Sequence, residues 1–445
     1  MKSVRFYDTR RHAIFPLEPG KEGVVTIYTC GPTVYGDAHI GNLRTYIFED
    51  VLVRSLRAFG YQPDRLMNIT DVGHLVSDAD EGEDKLEVGA KRDGLTAWQV
   101  AERYEQRFIA ALHLLGLEMP HSVRATAFID AQIKMVQQLE QKGSTYHLAD
   151  GIYFDISTFP TYSDFAQLNL AGQEMGVRVD VQAGKRNPAD FALWKFSPTE
   201  STRDMEWESP WGVGFPGWHL ECSAIIRETL GESIDIHCGG VDHIPVHHTN
   251  EIAQSESLTG RSLAGHWLHG EFLTVDGGKM SKSLGNTYLL DDLHERGIEP
   301  MAFKLLTFNA HYRRKLNFTW EAARAAQNSL ERLRSFSGSE DPALYRARME
   351  NALADDLNIP QALAILHEGV KAGAAMKEVA QELLGLELTN VQKELPENVL
   401  KLVEKRQQAR ENKDWEASDM LRLQIESLNF KVKDTPEGQS VRRDP

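Results

Sequence analysis

Short β-rich runs alternate with long amphipathic helical patterns through the first half of the chain. Val24–Thr29 has the composition of a buried strand, and residues 41–59 carry apolar side chains at helical spacing before Gly60. Arg65–Thr70 is predicted to be the next strand and residues 97–115 another amphipathic helix. Because strands that alternate with helices pair in parallel, this half predicts an α/β fold built on a parallel sheet.

Two later regions break this alternation. Residues from about 120 to 215 are rich in proline, glycine and aromatic residues and are predicted to be an insertion into the sheet domain. Gly151–Ile156 and Ile234–His237 are further strand candidates. From about residue 320 the pattern is almost purely helical, with amphipathic stretches at residues 320–336, 342–354, 359–386 and 396–412. The tail is predicted to be a small helical or mixed unit with a turn at Asp434–Gly438.

Length and composition limit the class of protein. A chain of 445 residues is too long for one hydrophobic core, so about two to four domains are expected. The content of 41% hydrophobic and 26% charged residues is that of a globular protein. No run of about eighteen apolar residues is present, and Met1–Asp8 lacks the apolar stretch of a signal peptide. We therefore expect a cytoplasmic protein that does not contact membranes.

The net charge of −16, from 49 basic and 65 acidic residues, disfavours RNA binding on long-range electrostatics alone. Residues 401–445 are nearly balanced, with ten Lys/Arg and nine Asp/Glu, which leaves room for a local RNA contact without predicting one. The three cysteines, Cys30, Cys222 and Cys238, are unsuited to a disulfide framework in a reducing cytosol. They fit a metal site or plain buried thiols better.

A first motif, His39-Ile40-Gly41-Asn42, lies where a strand and loop turn into a helix. Free backbone N–H groups and the positive end of the helix dipole favour phosphate there. Gly41 lets a ligand approach the backbone, while His39 and Asn42 can donate hydrogen bonds to phosphate oxygens. Taken alone, the motif is weak evidence, because such a histidine is more often an ordinary residue at a helix start.

A second motif, Lys279-Met280-Ser281-Lys282-Ser283, follows an apparent strand at Glu271–Val275 and a Gly277-Gly278 hinge. A mobile loop with two lysines and two hydroxyls suits a clamp that closes on a triphosphate. A solvated basic loop is the alternative. The two motifs together, in this order in an α/β chain, predict an enzyme that activates its substrate with ATP.

A third group of residues predicts a metal site. His247 and Glu251 are four apart in a predicted helix, His247–Leu258, so their side chains share one face. Together with Cys30 and Cys222 they offer two thiolates, an imidazole and a carboxylate, a set that favours Zn²⁺ over Mg²⁺. The spacing alone leaves rivals open, namely two imidazoles and one thiol: His219, His248 and Cys238.

The paired motifs resemble the HIGH and KMSKS signatures of class I aminoacyl-tRNA synthetases, with Asn42 in place of the second histidine. Within that class the chain resembles the cysteinyl-tRNA synthetases over nearly its whole length and in the same order, in the segments Cys30–Tyr35, Asn68–Asp71, Asp190–Lys195, Gly217–Ser223 and Val246–Glu251. Thr249 and Cys238 depart from the commonest pattern, in which glutamate and glycine are usual, and Cys238 has no assigned role.

The resemblance implies adenylation of L-cysteine by ATP on a Rossmann-like sheet, followed by transfer to tRNA(Cys). It implies catalytic roles for four residues: His39, Asn42, Lys279 and Lys282. ATP contacts are expected from His39, Gly41, Asn42 and Lys282, with Mg²⁺ on the phosphates. Substrate contacts are expected from Gly31, Thr70 and Trp218, although Trp218 could equally be a packing residue. The implied ligands of one Zn²⁺ per chain are Cys30, Cys222, His247 and Glu251.

Zinc would account for selection against serine. Serine and cysteine are nearly equal in size, so the shape of a pocket alone discriminates by only about 1–3 kcal/mol. A metal ion binds a thiol as the thiolate because binding drives deprotonation, whereas a hydroxyl is far less acidic. Such a site needs no separate editing domain.

The resemblance also implies a division into domains. Residues 1–120 and 216–290 would form the two halves of the catalytic domain, residues 121–215 an inserted connective domain, and residues 291–320 a stem-contact region. A helical bundle at residues 321–395 and a small anticodon-side domain at residues 396–445 would follow. We expect a monomer.

Two other functions are open at this point. Mycothiol ligase resembles the same catalytic core but joins activated cysteine to an amino-sugar. The segments Asp414–Arg422 and Lys433–Gly438 resemble the anticodon-side end of the synthetase instead. A non-catalytic RNA-binding paralogue would be expected to lack a zinc ligand or the KMSKS lysines, and all are present.

Overall fold

A computed structural model describes residues 1–74, 84–168, 184–197, 203–281, 284–388, 397–412, 414–428, 430–435 and 438–443. Through residue 168 the elements are β1 (Arg5–Asp8), β2 (Ala13–Pro16), β3 (Val24–Thr29), α1 (Ile40–Ala58), β4 (Gln62–Ile69), α2 (Lys85–Asp93), α3 (Ala97–Leu114), β5 (His121–Arg124), α4 (Ile129–Gln141), β6 (Thr145–Leu148) and β7 (Gly151–Phe154). From residue 184 to residue 318 they are β8 (Phe191–Phe196), β9 (Gly214–Pro216), α5 (Trp218–Thr229), β10 (Ile234–Gly240), α6 (Thr249–Thr259), β11 (Ala264–Gly270), β12 (Leu273–Val275), α7 (Leu290–Glu295), α8 (Pro300–Thr307) and β13 (Leu316–Phe318).

The remaining elements are α9 (Trp320–Ser335), α10 (Ala343–Ala354), α11 (Ile359–Lys371), α12 (Lys377–Leu384), α13 (Glu397–Glu411), α14 (Trp415–Ser427), β14 (Phe430–Thr435) and β15 (Gly438–Arg443). None of the described helices is both long and apolar enough to cross a lipid bilayer.

A five-stranded sheet in the order β11-β10-β3-β4-β5 forms the centre of the first half, and every neighbouring pair is parallel. This confirms the predicted α/β class. The strands predicted at Val24–Thr29 and Arg65–Thr70 are β3 and β4, and the helix predicted at residues 41–59 is α1. β5 also belongs to this sheet, which therefore extends past residue 120, the predicted end of the first half of the catalytic domain.

Helix α1 packs on the sheet through the apolar face that its periodicity predicted. Leu43, Ile47, Val51 and Leu56 are at most 1% exposed. Burial of one such side chain stabilises the fold by about 1.5–3 kcal/mol. The helix ends before Gly60, which has φ +90 and turns the chain towards β4.

The region between β5 and α5 contains a separate four-stranded antiparallel sheet, β6-β7-β8-β9. The strand predicted at Gly151–Ile156 is β7 and belongs to this sheet, where it ends at Phe154. Its residues are all buried, and a short apolar run of this kind does not say which sheet a strand will join.

The helical half agrees with the predicted stretches except at residues 359–386. That stretch divides into α11 and α12, because the chain turns at Gly373, which has φ +89. The Gly373 carbonyl accepts the N–H groups of Ser339 and Glu340, 3.0 Å each. In the tail, α14 and the antiparallel pair β14–β15 form a mixed unit as predicted, while Pro436 and Glu437 of the predicted turn lie outside the described residues.

Asp356, between α10 and α11, joins three separate parts of the chain. Its Oδ1 accepts the backbone N–H of Tyr7 on β1 at 2.9 Å and the hydroxyl of Tyr312 at 2.8 Å. Its Oδ2 accepts Arg313 Nε at 2.9 Å. Asp356 and Leu357 have φ values of 58 and 48, in the left-handed region that non-glycine residues seldom occupy. The hydrogen bonds therefore hold a strained turn in place.

We expect Asp356→Ala to lower the free energy of unfolding by about 2 kcal/mol, because it leaves the buried Tyr312 hydroxyl and the half-buried Arg313 without this partner. Urea denaturation measures this. Asp355→Ala is the matched control, since the Asp355–Arg5 ion pair has side chains 52% and 60% exposed. Equal destabilisation by the two substitutions would contradict the role given to Asp356.

Candidate active site

Four buried side chains converge beyond the carboxyl end of β3. Cys30 is the residue after that strand, Cys222 lies on α5, His247 lies in the π-helical turn Ile244–His248, and Glu251 lies on α6. Their donor atoms are all within 4.8 Å of one another. The structure thus brings together the four residues that the sequence suggested as metal ligands.

Local structure explains how His247 and Glu251 meet. The predicted helix at His247–Leu258 begins as α6 only at Thr249, and His247 belongs to the preceding π-helical turn. The two side chains still face each other one turn apart, with His247 Nε2 3.1 Å from Glu251 Oε1. An irregular turn of this kind is often found at a functional site.

A second group of donors overlaps the first and consists of Cys30, His237, His248 and Glu251, again within 4.8 Å. His248 Nε2 lies 3.3 Å from Cys30 Sγ, and His237 Nε2 lies 3.0 Å from Glu251 Oε2. The rival imidazole His248 therefore lies at the site. The other rival imidazole, His219, contacts a residue of the site, since its Nδ1 lies 3.0 Å from Nδ1 of His247.

Cys238 belongs to neither group, although its carbonyl accepts the Cys30 N–H at 3.2 Å. Successive side chains of a strand point to opposite faces of the sheet. Cys238 packs with Ile236 in the hydrophobic cluster that contains α1, whereas Cys30 and Cys222 pack together in a different cluster. The sheet separates Cys238 from the other two thiols.

The charges of the four residues depend on one another. Burial raises the pKa of the Cys30 thiol, and the adjacent Cys222 raises it further. Burial also raises the pKa of Cys222, but the hydrogen bond with Cys30 and the nearby His247 lower it. The net result is a lowered pKa of the Cys222 thiol. Burial opposes ionisation of Glu251, yet His237 and His247 lower its pKa to about 2.

His247 shows the opposite shift. Burial acts to lower its pKa, but Cys222 and Glu251 outweigh burial and raise that pKa to about 10. The shifts of Glu251 and His247 thus favour a carboxylate beside an imidazolium in this buried space. Two sulfur atoms, an imidazole and a carboxylate are donor types that fit a borderline-soft divalent cation, which would take the place of the imidazolium proton.

Trp218 lies over this centre. It is the first residue of α5 and is half-buried, and its ring lies 4.6 Å from the ring of His247 at an angle of 36°. A large flat side chain in this position can cover a small ligand held between it and the metal ligands.

Gly31 and Thr70, the other predicted substrate contacts, are joined through Asn68. Asn68 Oδ1 accepts the Gly31 N–H at 2.8 Å, and Asn68 Nδ2 donates to the Thr70 hydroxyl at 2.9 Å. The Thr70 hydroxyl in turn donates to Glu221 Oε2 at 2.8 Å, and Glu221 Oε1 lies 2.5 Å from His74 Nε2. This polar chain runs from the end of β3 to the helix that carries Cys222.

Sequence reasoning missed three residues of the site, namely His237, His74 and Glu221. His237 had a usable signal, since it alternates with Cys238 on β10 and must face the side of the sheet opposite to it. Glu221 directly precedes Cys222 on α5. No pattern in the sequence singled out His74.

The first nucleotide motif forms the beginning of α1 in a reciprocal capping box. His39 Nδ1 accepts the backbone N–H of Asn42, and Asn42 Oδ1 accepts the backbone N–H of His39, both at 3.2 Å. Because Nδ1 is an acceptor, a neutral His39 ring carries its proton on Nε2. Asn42, which stands where the HIGH signature has its second histidine, thus uses its side-chain amide to cap the start of α1.

The second nucleotide motif lies against the first. A Cβ atom at Gly41 would lie 3.7 Å from Cε of Met280. The Asn286 side chain makes two hydrogen bonds to the backbone of this motif. Its Oδ1 accepts the Ser281 N–H at 2.8 Å, and its Nδ2 donates to the Lys279 carbonyl at 3.1 Å. Lys279 is exposed, and Lys282 and Ser283 lie outside the described residues.

Comparison with known proteins identifies related sequences over the whole chain. A family profile described as the class I (C) tRNA synthetase catalytic domain matches residues 16–328, and one described as the cysteinyl-tRNA ligase anticodon binding domain matches residues 392–442. The chain is 48% identical to cysteine–tRNA ligase 1 of Burkholderia lata, with 98% of this chain and 96% of that protein covered. It is 38% identical to cysteine–tRNA ligase of Treponema denticola, with 97% and 98% covered.

Solved structures share the fold at low sequence identity. Methionyl-tRNA synthetase of Mycobacterium tuberculosis bound by methionyl-adenylate matches with a TM-score of 0.57 at 14% identity, covering 82% of this chain and 88% of that one. The leucyl enzyme of Agrobacterium radiobacter, in a ternary complex with tRNA, matches with a TM-score of 0.57 at 13% identity, covering 83% of each chain. These likenesses show the fold.

The junction of Gly31 with β4 yields a prediction. A Cβ at position 31 would lie 1.6 Å from the carbonyl oxygen of Asn68, so we expect Gly31→Ala to push β3 and β4 apart and to cost about 3 kcal/mol or more of stability. Gly36→Ala is the matched control in the same loop, because a Cβ at position 36 meets nothing within 4 Å. Thermal unfolding compares the two, and equal midpoints would refute the close approach.

Proposed function

We propose that this chain, which belongs to the cysteine–tRNA ligase family of class I aminoacyl-tRNA synthetases, activates L-cysteine with ATP, transfers it to tRNA(Cys), and rejects serine at a zinc centre. The chain is an aminoacyl-tRNA ligase by its family. The observation that carries the finer proposal is the buried group of Cys30, Cys222, His247 and Glu251 at the carboxyl end of β3, the strand that leads into α1.

The residues that would hold the zinc ion are those four. Their sulfur, nitrogen and oxygen donors and their mutual charges match the ligand preferences of zinc. When bound there, the ion would supply a Lewis acid that takes a thiol as its thiolate and leaves a hydroxyl group bound weakly. His237 would orient Glu251 by its 3.0 Å contact, as residues behind metal ligands commonly do.

The overlapping group with His237 and His248 is the less favoured holder of the ion. His248 Nδ1 is 2.8 Å from His269 Nε2, and His269 Nδ1 is 2.7 Å from the Thr9 hydroxyl, so His248 is part of a hydrogen-bonded row that runs away from the site. His247 instead lies under Trp218, where a bound amino acid would be covered. We therefore assign the ion to the group that contains Cys222 and His247.

The substrate would lie between Trp218 and the strand end at Gly31, with Thr70 beside it. Its carboxylate attacks the α-phosphate of ATP in line, which forms cysteinyl-adenylate and releases pyrophosphate. A hydroxyl of the terminal ribose of tRNA(Cys) then takes the cysteinyl group from the adenylate, and AMP leaves. The Nε2–H of His39, the N-terminal N–H groups of α1 with Gly41, and the lysines Lys279 and Lys282 would stabilise the charge that develops on the phosphates, together with Mg²⁺.

The capping box bears on Asn42. Its Oδ1 is engaged by the His39 N–H, so its contribution to ATP binding would come from the amide Nδ2 and from keeping His39 in its rotamer. The motif would then use His39 as the phosphate contact and Asn42 as the residue that orients it.

The match of residues 392–442 to an anticodon binding domain favours tRNA as the acceptor over an amino-sugar, and it supports an anticodon contact by α13, α14 and the β14–β15 pair. The proposed division into domains follows the same family plan, with the first catalytic half extended to include β5. We further propose a cytoplasmic monomer, which size-exclusion chromatography with light scattering would test.

The nucleotide assignment predicts a loss of activation in Lys282→Ala. Removing one charge that stabilises the transition state should lower cysteine-dependent ATP–pyrophosphate exchange by about 10²- to 10³-fold. Lys142→Ala, at an exposed position directly after α4, should retain the wild-type rate. Full exchange activity in Lys282→Ala would remove this lysine from the mechanism.

The metal assignment predicts one zinc per chain in the purified protein. Cys222→Ser should lose the zinc and cysteine activation together, because a serine hydroxyl is a poor zinc ligand. Cys238→Ser is the matched control and should keep both, since that thiol faces the other side of the sheet. Metal analysis and pyrophosphate exchange measure the two variants. Undiminished zinc in Cys222→Ser, or loss of zinc in Cys238→Ser, would contradict the assignment of Cys222 as a ligand and would favour Cys238 instead.

A further inference from the structure

Arg44 lies on α1 two residues after the first nucleotide motif, and its buried guanidinium donates hydrogen bonds to backbone carbonyls. The residue is 5% exposed. Nη1 donates to the carbonyls of Glu271 and Phe272, both at 2.7 Å, and Nη2 donates to those of His311 at 3.3 Å and Arg314 at 2.5 Å. One charged side chain thus satisfies four backbone acceptors that come from two separate segments.

The two segments lead into β12 and β13, the paired strands next to the second nucleotide motif. Residues 271–272 precede β12, and residues 311–314 precede β13. The two strands pair in parallel, from Leu273 with Leu316 to Val275 with Phe318. β12 then continues through the turn at Gly277 into Lys279, and that turn is itself tied to β13 by Gly277 N–H and Asn317 Oδ1 at 2.7 Å. Arg44 therefore fastens the base of the loop to α1.

The far side of the loop is tied to the same helix. The N–H of Ile40, the first residue of α1, donates to the carbonyl of Tyr288 at 2.9 Å. Between these two attachments the loop reaches Gly41, close to which Met280 lies. The distance from Lys279 to the start of α1 is thus set by Arg44 on one side and by the Ile40–Tyr288 hydrogen bond on the other.

Charge matters for this attachment. Burial lowers the pKa of Arg44 to about 10, with the nearby Glu271 opposing the shift, so the guanidinium is still charged at neutral pH. A planar cation with five N–H donors can bridge two pairs of carbonyls, whereas an ammonium group at the end of a lysine reaches fewer of them in this geometry. Without the cation, the carbonyls of Glu271 and Arg314 would lose this donor. The carbonyls of Phe272 and His311 would keep the backbone N–H groups of Leu316 and Arg314.

Arg54, on the same helix, provides a natural comparison. It is 8% exposed and also donates to backbone carbonyls, those of Gln381 at 3.3 Å and Gly116 at 3.2 Å, besides Asp50 Oδ2 at 2.8 Å. These acceptors belong to α12 and to the turn after α3, so Arg54 attaches α1 to the helical half and not to the loop.

We propose that Arg44 is a positioning residue for the activation of the amino acid by ATP: by clamping residues 271–272 and 311–314 to α1, it sets the loop at residues 276–281 over the phosphate contacts at the start of that helix. The inference rests on the proposed ATP site. Misplacement of a catalytic group by about 1 Å can lower a rate by about 10²-fold, which is the size of effect expected when the clamp is removed.

Three variants test the proposal in the full chain: Arg44→Met, Arg44→Lys and the matched control Arg54→Met. Arg44→Met should lower kcat of cysteine-dependent ATP–pyrophosphate exchange by about 10²-fold while the KM for cysteine and the zinc content stay unchanged, because the metal end of the pocket is not touched. Arg44→Lys should fall between Arg44→Met and wild type. Arg54→Met should lower the thermal midpoint but retain kcat.

Hydrogen–deuterium exchange provides a readout that does not depend on activity. Arg44→Met should expose the amides of residues 271–281 and 311–316 to faster exchange, and Arg54→Met should not. Equal losses of kcat in Arg44→Met and Arg54→Met, or unchanged amide protection in Arg44→Met, would overturn the proposal. If Arg44→Met does not fold, wild-type kcat and wild-type protection in Arg44→Lys would overturn it.

The two proposals fail in different ways. Absence of cysteine-dependent exchange in the wild-type protein would refute the proposed function. Faster amide exchange confined to the two segments in Arg44→Met would still establish the clamp. Conversely, a wild-type rate in Arg44→Met that retains its fold would remove Arg44 from catalysis and leave the proposed function intact.

Discussion

Parallel pairing of β3 with β4 and β10 is the constraint on which the site depends. Strands that run in the same direction end at the same edge of a sheet, so residues that directly follow them meet in space although they are far apart in sequence. Cys30 follows β3, and Thr70 follows β4. The helices α5 and α6 then bring Cys222 and Glu251 to that edge from the side.

The start of α1 lies on the same edge, and this explains why two chemistries can be neighbours. A helix N-terminus offers N–H groups and a positive dipole end to an anion such as phosphate. The group of Cys30, Cys222, His247 and Glu251 instead offers a donor set that suits a cation, and its member Cys30 lies shortly before α1 in the chain. The two sites make opposite electrostatic demands. The turn between Cys30 and His39 keeps them apart, and Gly31 makes that turn possible through its contact with Asn68.

Much of this arrangement could be predicted from sequence because it rests on periodicity and on residue chemistry. The strand at β3, the helix α1 and the helices after residue 320 all have strong local patterns, and the four converging residues have donor types that suit one metal. Gly151–Phe154 lies within the insertion predicted at residues 120–215, but sequence could not show which strands it pairs with, since pairing partners are chosen by tertiary packing. It also could not show that the stretch at residues 359–386 turns at Gly373.

The residues behind the site were the hardest to predict. His74 and Glu221 contact each other through a hydrogen bond that no spacing along the chain encodes, and Arg44 acts on backbone carbonyls, which every residue possesses. Sequence patterns identify residues by side-chain chemistry. They are therefore blind to partners whose contribution is a peptide group.

The position of Cys238 has a consequence for how this fold could be observed. It is fully buried on the α1 face of the sheet, and burial raises the pKa of its thiol, so an alkylating reagent can reach it only when β10 separates from its surroundings. The rate of its modification would then measure how often the central sheet opens. Cys238 thus provides a built-in probe of local unfolding, on the face of the sheet opposite to the thiols of the proposed metal centre.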